Sequence, residues 1–600
     1  MPHYLSLQYA KSTRRLKLAL CLLLGMGLTN PVLAQESERL SRFSRSQSET
    51  STTVTSHLEK AATINQDCEN YLFQAETPAA ASALTEATLV EETPVEDPPG
   101  LISACANDLS PQSIESSQIA QATTSTQESE PAPAEPASEE SPQPEPSPAA
   151  TRDPMVLYDE NGWTVRSHLQ FGANAVFERN LYWDLAETFA PTTDFDEDTE
   201  WLELYVKPGI SFTGTPADNL NLYGRLSGVA SATLGTDAFD TGDTGRITLE
   251  EGHLGLRTTH PDRVNFDISV GPRELKLGTG MLIANGASNG FERGALKLGP
   301  RKAWEMAAIG RVSYGDFLGT AFYLEPNELP SNSTGNRLAG VDLRYDRPNN
   351  NYVGLTYVNV LDSQAPYPQS SVGSPPEIIP GAREGLNATN FYARVTPFQG
   401  DLEPLFLTFD AAYEWNNRIN LEAWGGRAQV GYTFENAPWS PTLTYSYQTF
   451  SGDDPSTSRL ERFDPLYYEG SPSSWATGLK AASVFINSNV QSHQATLRLS
   501  PSPQDTVTLR YAHVRTNELG SPVQFGQATR FDFTIGAVTP GVTDPHLSDD
   551  FFLEYSRILN RNTFLTLGAS ASIPGKGIND ALGEDGPIWY GGFVNIVFNF

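Results

Sequence analysis

Nine basic side chains recur on the polar side of alternating segments: Arg166, Lys207, Arg225, Arg257, Arg344, Arg394, Arg427, Arg498 and Arg510. A guanidinium group binds a carboxylate through two parallel hydrogen bonds, so this set suits recognition of an anion more than bond making. Five acids share those faces: Glu203, Asp267, Asp342, Asp410 and Glu554. Nine bases against five acids predict a positive surface, and a charged ring in a pore selects the opposite charge. The competing reading is that these charges pair across strands and brace a water-filled interior. Other chemistry finds little support. His168, His253, His260, His493, His513 and His546 fall one to a segment, and neither a Gly-x-Ser-x-Gly elbow nor a His-Glu-x-x-His motif occurs. No enzyme activity, metal or cofactor is expected. The paired acids Glu250-Glu251 and Asp549-Asp550 have the oxygen chemistry for calcium at a rim, although solvated faces explain them more simply.

The elements that must carry these bases have a period of two. Trp163, Val165, Leu169, Phe171, Ala173, Ala175 and Phe177 lie on one side, and Arg166, His168, Gln170 and Asn174 on the other. The alternation recurs at Leu202/Leu204/Val206/Ile210/Phe212, at Val264/Phe266/Ile268/Val270, at Leu405/Leu407/Phe409/Ala411/Tyr413 and at Ala428/Val430/Tyr432/Phe434. Such segments are strands with one apolar and one polar face. A soluble sandwich would turn the apolar face inward; an outer-membrane barrel turns it to lipid and the polar face to a wet lumen. Three features favour the barrel. Many strands reach ten residues, as a tilted span requires. Short and long connections alternate, with turns near 214–219, 259–262, 313–316 and 346–351 and long loops near 179–200, 272–293, 362–385 and 451–482. The chain also ends on Tyr590, Val594, Ile596, Phe598 and Phe600 along one face, an aromatic terminal strand. The expected fold is therefore an all-β transmembrane antiparallel barrel of about eighteen strands (sixteen being the alternative) over residues 155–600. Within it, 294–312 reads as one long strand, 416–420 as an unusually short outer loop, and 516–547 as a single loop in which Thr529–Ile535 could pass as a strand.

The 600 residues contain 40 Lys+Arg and 72 Asp+Glu, a net charge of −32. That balance argues against nucleic-acid binding, which needs clustered cations. No apolar run is long enough for a transmembrane helix. Lys11, Arg14, Arg15 and Lys17 precede an apolar stretch from Leu18 to Leu28 and a small-residue site at Val32-Leu33-Ala34, which is the pattern of a signal peptide over 1–34. Residues 35–154 are rich in Ser, Thr, Gln, Glu and Pro, too poor in apolar groups to offset their ordering entropy. They read as a disordered acidic periplasmic arm, a spacer able to reach a periplasmic or cell-wall partner. This arm holds 21 acids against 5 bases and the leader four bases, so 155–600 carry −20 of the total. The surplus acid must then lie in loops and rims, as in Asp194-Phe-Asp-Glu-Asp198. Three cysteines are too few for a disulfide scaffold. An oxidising compartment allows Cys68 and Cys105 to pair; two unpaired thiols are the alternative.

Several stretches resemble one family. Leu547…Leu553-Glu-Tyr555, a turn at Asn560-Arg561-Asn562, Leu565-Thr-Leu567-Gly568, Pro574-Gly575-Lys-Gly and the closing aromatic strand are similar to the C-terminal end of alginate-export outer-membrane porins. Arg462-Phe463-Asp464-Pro465-Leu466-Tyr467-Tyr468 resembles an outer-loop segment of that family. Val270-Gly271-Pro-Arg273-Glu274-Leu275-Lys-Leu277-Gly278 resembles its Gly-Arg-Gln-Glu-Leu…Gly stretch, with Pro272 and Arg273 in place of the Arg-Gln pair, and Phe291-Glu-Arg-Gly294 loosely matches a Phe-Asp-Gly turn. The resemblance spans about 160–600 and implies a monomeric eighteen-stranded barrel in the cell outer membrane, with an arginine-lined constriction passing an anionic exopolysaccharide. The expected function is export or facilitated diffusion of an anionic polysaccharide or carboxylated solute, the alternative being a general diffusion porin. A third reading makes it a binding or anchoring protein acting through the arm.

Overall fold

A computed structural model describes residues 155–181, 196–239, 242–260, 262–470, 475–478, 484–523, 528–532 and 537–600. The leader, the acidic arm, Cys68 and Cys105 lie outside the described residues, as do Asp194 and Phe195.

The strands follow the alternation. They are Trp163–Arg179 (β1), Thr199–Ala217 (β2), Leu220–Thr236 (β3), Thr244–Thr258 (β4), Asn265–Val270 (β5), Met306–Tyr314 (β6), Phe317–Glu325 (β7), Arg337–Arg347 (β8) and Asn351–Asp362 (β9). Then come Asn387–Val395 (β10), Leu405–Asn416 (β11), Leu421–Thr433 (β12), Thr442–Phe450 (β13), Val490–Ser502 (β14), Asp505–Thr516 (β15), His546–Asn560 (β16), Thr563–Pro574 (β17) and Trp589–Asn599 (β18). Each pairs antiparallel with its sequence neighbour, and β18 closes on β1, with Phe171 opposite Phe598 and Ala175 opposite Val594. Phe600 extends the seam. It exchanges backbone hydrogen bonds of 2.9 and 3.0 Å with Leu169, and the Phe598 ring stacks on Phe171 at 4.6 Å. A further strand, Val156–Glu160, folds back on β1 through Asn161-Gly162, both at positive φ (55° and 75°), as a tight hairpin requires. It pairs only with β1, so the ring itself has eighteen strands. Closure leaves no edge whose backbone groups would go unpaired in lipid.

The apolar face points outward. Leu343 and Ile268 are 60% and 62% exposed, and Leu256, Leu407, Leu443 and Leu509 are exposed beside them. On a water-soluble protein such a surface would drive association; around a closed barrel it is the lipid-facing band. Aromatic pairs flank it, Phe317 with Tyr345 at 4.5 Å toward one rim and Tyr511 with Phe551 at 5.2 Å toward the other.

Eight short turns occupy one rim and nine connections the other, among them 180–198, 271–305, 363–386, 451–489 and 517–545. The loop 417–420 is indeed short. The expected long strand over 294–312 is corrected: only Met306–Tyr314 is strand, and 294–305 belongs to the preceding loop. Gly294, Ala295 and Gly299 adopt positive φ there (65°, 53° and 45°), which no strand accommodates. Within 517–545 a small hairpin pairs Arg530–Asp532 with Ala537–Thr539, the residues joining them lying outside the described set.

One irregularity matters for the interior. Ser227 pairs with Glu251, but the next residue, Gly228, pairs with Leu249. Glu250 is the extra residue of a bulge, and both neighbouring acids turn to the same face. Plain alternation would have sent Glu250 to lipid.

Candidate functional site in the barrel interior

Loop 271–305 crosses the lumen. On one side Glu203 accepts the backbone N–H groups of Lys297 and Leu298 at 2.8 and 2.7 Å, and Glu250 accepts those of Lys302 and Ala303 at 2.8 and 3.1 Å. Arg301 donates to Thr248, Ser231 and the Arg246 carbonyl. These anchors lie on β2, β3 and β4. On the other side Thr279 donates to Asp410 of β11, and Met281 lies 3.4 Å from the Asn390 amide of β10. Eight strands around a ring of eighteen is nearly a diameter, so the loop bridges opposite walls.

Other outer loops lock onto it. Tyr467 runs beside Ile283, exchanging backbone hydrogen bonds with Leu282 and Ala284. Its hydroxyl contacts Asn336 at 2.6 Å and Glu328 at 3.2 Å, in loop 326–336. Arg383, in loop 363–386, grips Asp464 through Nε at 2.6 Å and Nη2 at 3.0 Å, with both side chains almost wholly buried. Burial opposes the Arg383 charge, but Asp464 outweighs it and holds the guanidinium above its ordinary value. Trp304, Tyr467 and Trp475 are fully buried in this plug.

Asp453 joins three of the loops. Its carboxylate accepts the N–H of Ser370 at 2.5 Å and of Glu461 at 2.7 Å, and its own backbone N–H donates to the Ser521 hydroxyl oxygen, in loop 517–545, at 3.2 Å. Burial pushes its carboxyl up to about 6 despite the two amide donors. A raised carboxyl binds its proton more tightly in the folded state, so its contribution to stability is complete below the ordinary carboxylate value and is lost as pH rises through about 6. Channel recordings at pH 5 and 7.5 are therefore expected to show fewer loop-opening transitions at pH 5, and Asp453→Asn is expected to flatten that difference.

The nine predicted bases all take the inner register, opposite neighbours that do not face lipid: Arg344 with Leu318 and Gly354, Arg394 with Tyr352 and Thr408, Arg427 with Asp410 and Gln448, Arg510 with Thr496 and Phe552. Lys207 is bound to Glu250 and Glu274, and Arg225 to Glu251. Arg257 stands opposite Asp267 and lies 5.4 Å from the Tyr223 ring. Arg166 and Arg498, both exposed, sit toward the short-turn ends of their strands.

The remaining four gather on one wall. Tyr352 lies among Arg344, Arg394 and Arg427, and Arg427 also interacts with Arg510. Arg344 stacks 4.5 Å over Tyr352, Arg394 4.2 Å over Phe406 and Arg427 3.8 Å over Trp475. Stacking fixes a planar guanidinium without consuming its donors. The Nε–H groups of Arg394 and Arg510 are buried without a hydrogen-bond partner among the described residues. Asp342 accepts from Thr356 and Tyr392, whereas Asp410 and Glu414 each have one oxygen bonded, to Thr279 and to the Asp464 N–H, and the other buried without a hydrogen-bond partner among the described residues. Tyr392 reaches Asp342 because it lies flat across Gly354, where a Cβ would stand 2.2 Å from the ring. Below this wall, at the short-turn mouth, a cavity of about 850 Å³ is lined by Arg394, Thr396, Phe406 and Thr433.

The expected surplus of inner positive charge is corrected. The register adds two inward bases, Arg246 and Arg311, and six inward acids, Glu178, Glu250, Glu251, Asp346, Glu414 and Asp550. Among the described residues, eleven strand-borne bases then face eleven acids. Glu178, Glu414 and Asp550 lie near strand ends, where the alternation runs into loops, and Glu250 is turned in by the bulge. Within the wall, Arg344 pairs with Asp346 at 2.8 Å and Arg427 lies 4.0 Å from Asp410, so Arg394 and Arg510, with their unpartnered Nε–H groups, distinguish it rather than the total charge.

Residues 387–587 match the family described as alginate export. No curated protein sequence matches the chain. Among solved structures, Pseudomonas aeruginosa OccK7 (OpdD) aligns at 10% identity over 73% of this chain and 98% of its own, with a TM-score of 0.41. Acinetobacter baumannii OccAB1 aligns at 12% identity over 73% and 97%, with a TM-score of 0.42. The closed eighteen-stranded barrel, its apolar outer band and the alginate-export match over residues 387–587 make this an outer-membrane β-barrel protein that is similar, over those residues, to the alginate-export family.

Proposed function

We propose that the protein is a channel for an anionic polysaccharide or a smaller carboxylated solute, which passes along the wall formed by Arg344, Arg394, Arg427 and Arg510. The observation that carries this reading is the gathering of guanidinium groups on one wall, where Arg394 and Arg510 each hold a buried Nε–H without a hydrogen-bond partner among the described residues. A carboxylate moving past can accept those N–H groups one after another. Tyr352, Phe406 and Trp475 add flat surfaces on which sugar rings can slide. Among the remaining predicted bases, Lys207 braces the crossing loop through Glu274, while Arg225 pairs with Glu251 between neighbouring strands. The segment 35–154 fits a periplasmic spacer ahead of the barrel.

Liposome uptake tests the proposal. Proteoliposomes are expected to take up short uronate oligomers several-fold faster than neutral oligomers of the same length. Equal rates would point to the general diffusion porin instead.

A further inference from the structure

The outer wall gathers a side-chain cluster that the channel does not use. His513 of β15 and Asp549 of β16 stand opposite each other in register. His546 reaches the same spot because the pairing shifts between Val514–Ser548 and Arg515–His546, with Leu547 tucked inside as the bulged residue. His513 Nδ1 lies 2.9 Å from one Asp549 oxygen and His546 Nε2 lies 3.0 Å from the other. The two rings are 4.7 Å apart, and the three ligand-type atoms all fall within 4.8 Å of one another. All three side chains are about 30% exposed on the lipid-facing side near the long-loop rim, just beyond the aromatic pair Tyr511–Phe551.

We propose that His513, His546 and Asp549 form a binding site for a divalent transition-metal ion of the zinc class, held at the level of the outer lipid headgroups. Two imidazoles and one carboxylate are the donors such ions prefer, whereas calcium and magnesium prefer oxygen alone. The geometry is close to ready. Tetrahedral bonds of about 2.0–2.1 Å give ligand–ligand edges of roughly 3.4 Å, so the contacts of 2.9 and 3.0 Å, made to the two Asp549 oxygens, need to open by a few tenths of an ångström, and the remaining separations, none above 4.8 Å, need to close toward the same edge. A ligand nitrogen carries no hydrogen, so each imidazole binds the ion in the tautomer that keeps its proton on the other ring nitrogen. The Tyr511 hydroxyl donates to Asp549 at 2.6 Å and orients the carboxylate, the supporting role that outer hydrogen bonds play around metal ligands. The fourth position faces outward, to water or a lipid headgroup oxygen. The bound ion would staple β15 to β16 at the point where loop 517–545 returns to the wall.

The test uses the untagged full-length chain, folded in detergent micelles and stripped of metal, titrated with Zn²⁺ against a chromophoric chelator. One Zn²⁺ per chain is expected, with micromolar or tighter affinity. His513→Ala combined with His546→Ala is expected to weaken binding at least tenfold, and Asp549→Asn to weaken it as well. Tyr511→Phe should weaken it less, and His260→Ala, in a turn at the opposite rim, should leave it unchanged. Heat-modifiable gel mobility reports barrel closure in each variant; should the double variant fail to close, Asp549→Asn decides. No binding above the chelator baseline, affinity unchanged in the closed ligand variants, or displacement of Zn²⁺ by equimolar Ca²⁺ would overturn the assignment.

Discussion

Replacing Arg383 by alanine is expected to release the outer-loop plug and raise single-channel conductance while leaving the barrel closed. Arg383 and Asp464 are both almost wholly buried and joined by two hydrogen bonds. Removing one partner strands the Asp464 carboxylate beside Glu414, which already accepts the Asp464 N–H. Breaking a buried pair in this way costs roughly 3–5 kcal/mol, a shift of about a hundred- to several-thousandfold in the closed-to-open ratio. The wall does not share that loss, because its ladders are backbone hydrogen bonds between strands. Conductance should therefore rise and fluctuate, and protease should cut loops 363–386 and 451–489 faster. Replacing the pair by Met and Leu of comparable bulk should restore most of the closure, since no charge is then left buried. Unchanged conductance in Arg383→Ala would mean that these loops do not limit the path.

The second large effect concerns the arginine wall. Arg394→Glu with Arg510→Glu is expected to invert the preference for anions and to abolish uptake of uronate oligomers. Each substitution changes the local charge by two at a site with few competing donors. Arg394→Ala with Arg510→Ala should have an intermediate effect. The control is Arg498→Ala at the short-turn end, which should alter selectivity little. Substituting Lys207 should instead loosen the crossing loop, because its charge is spent on Glu250 and Glu274.

The barrel was legible wherever one face of a strand met lipid without interruption. Val341, Leu343 and Tyr345 set the register of Arg344, and Phe391, Ala393 and Val395 that of Arg394, because a one-residue slip would put a guanidinium in hydrocarbon. The closing strand could be read from its aromatic alternation, ending at Phe600. Alternation fails where a bulge adds a residue, which hid the inward turn of Glu250. It also says nothing about loops. Segment 294–305 carries Ala295, Leu296, Leu298 and Trp304, apolar enough to pass as strand, but those residues pack inside the plug. The clasp between Arg383 and Asp464 joins loops 81 residues apart, and no local pattern encodes such a contact. The same holds for His513 and His546, which stand in separate strands until the sheet brings them together.

Reversal potentials of single wild-type channels across a salt gradient test the central claim most directly. Anion preference at neutral pH, reduced by Arg394→Ala with Arg510→Ala, is the expected result. Cation preference in the wild type, unaltered by those substitutions, would contradict it and leave the four arginines as braces of the barrel interior.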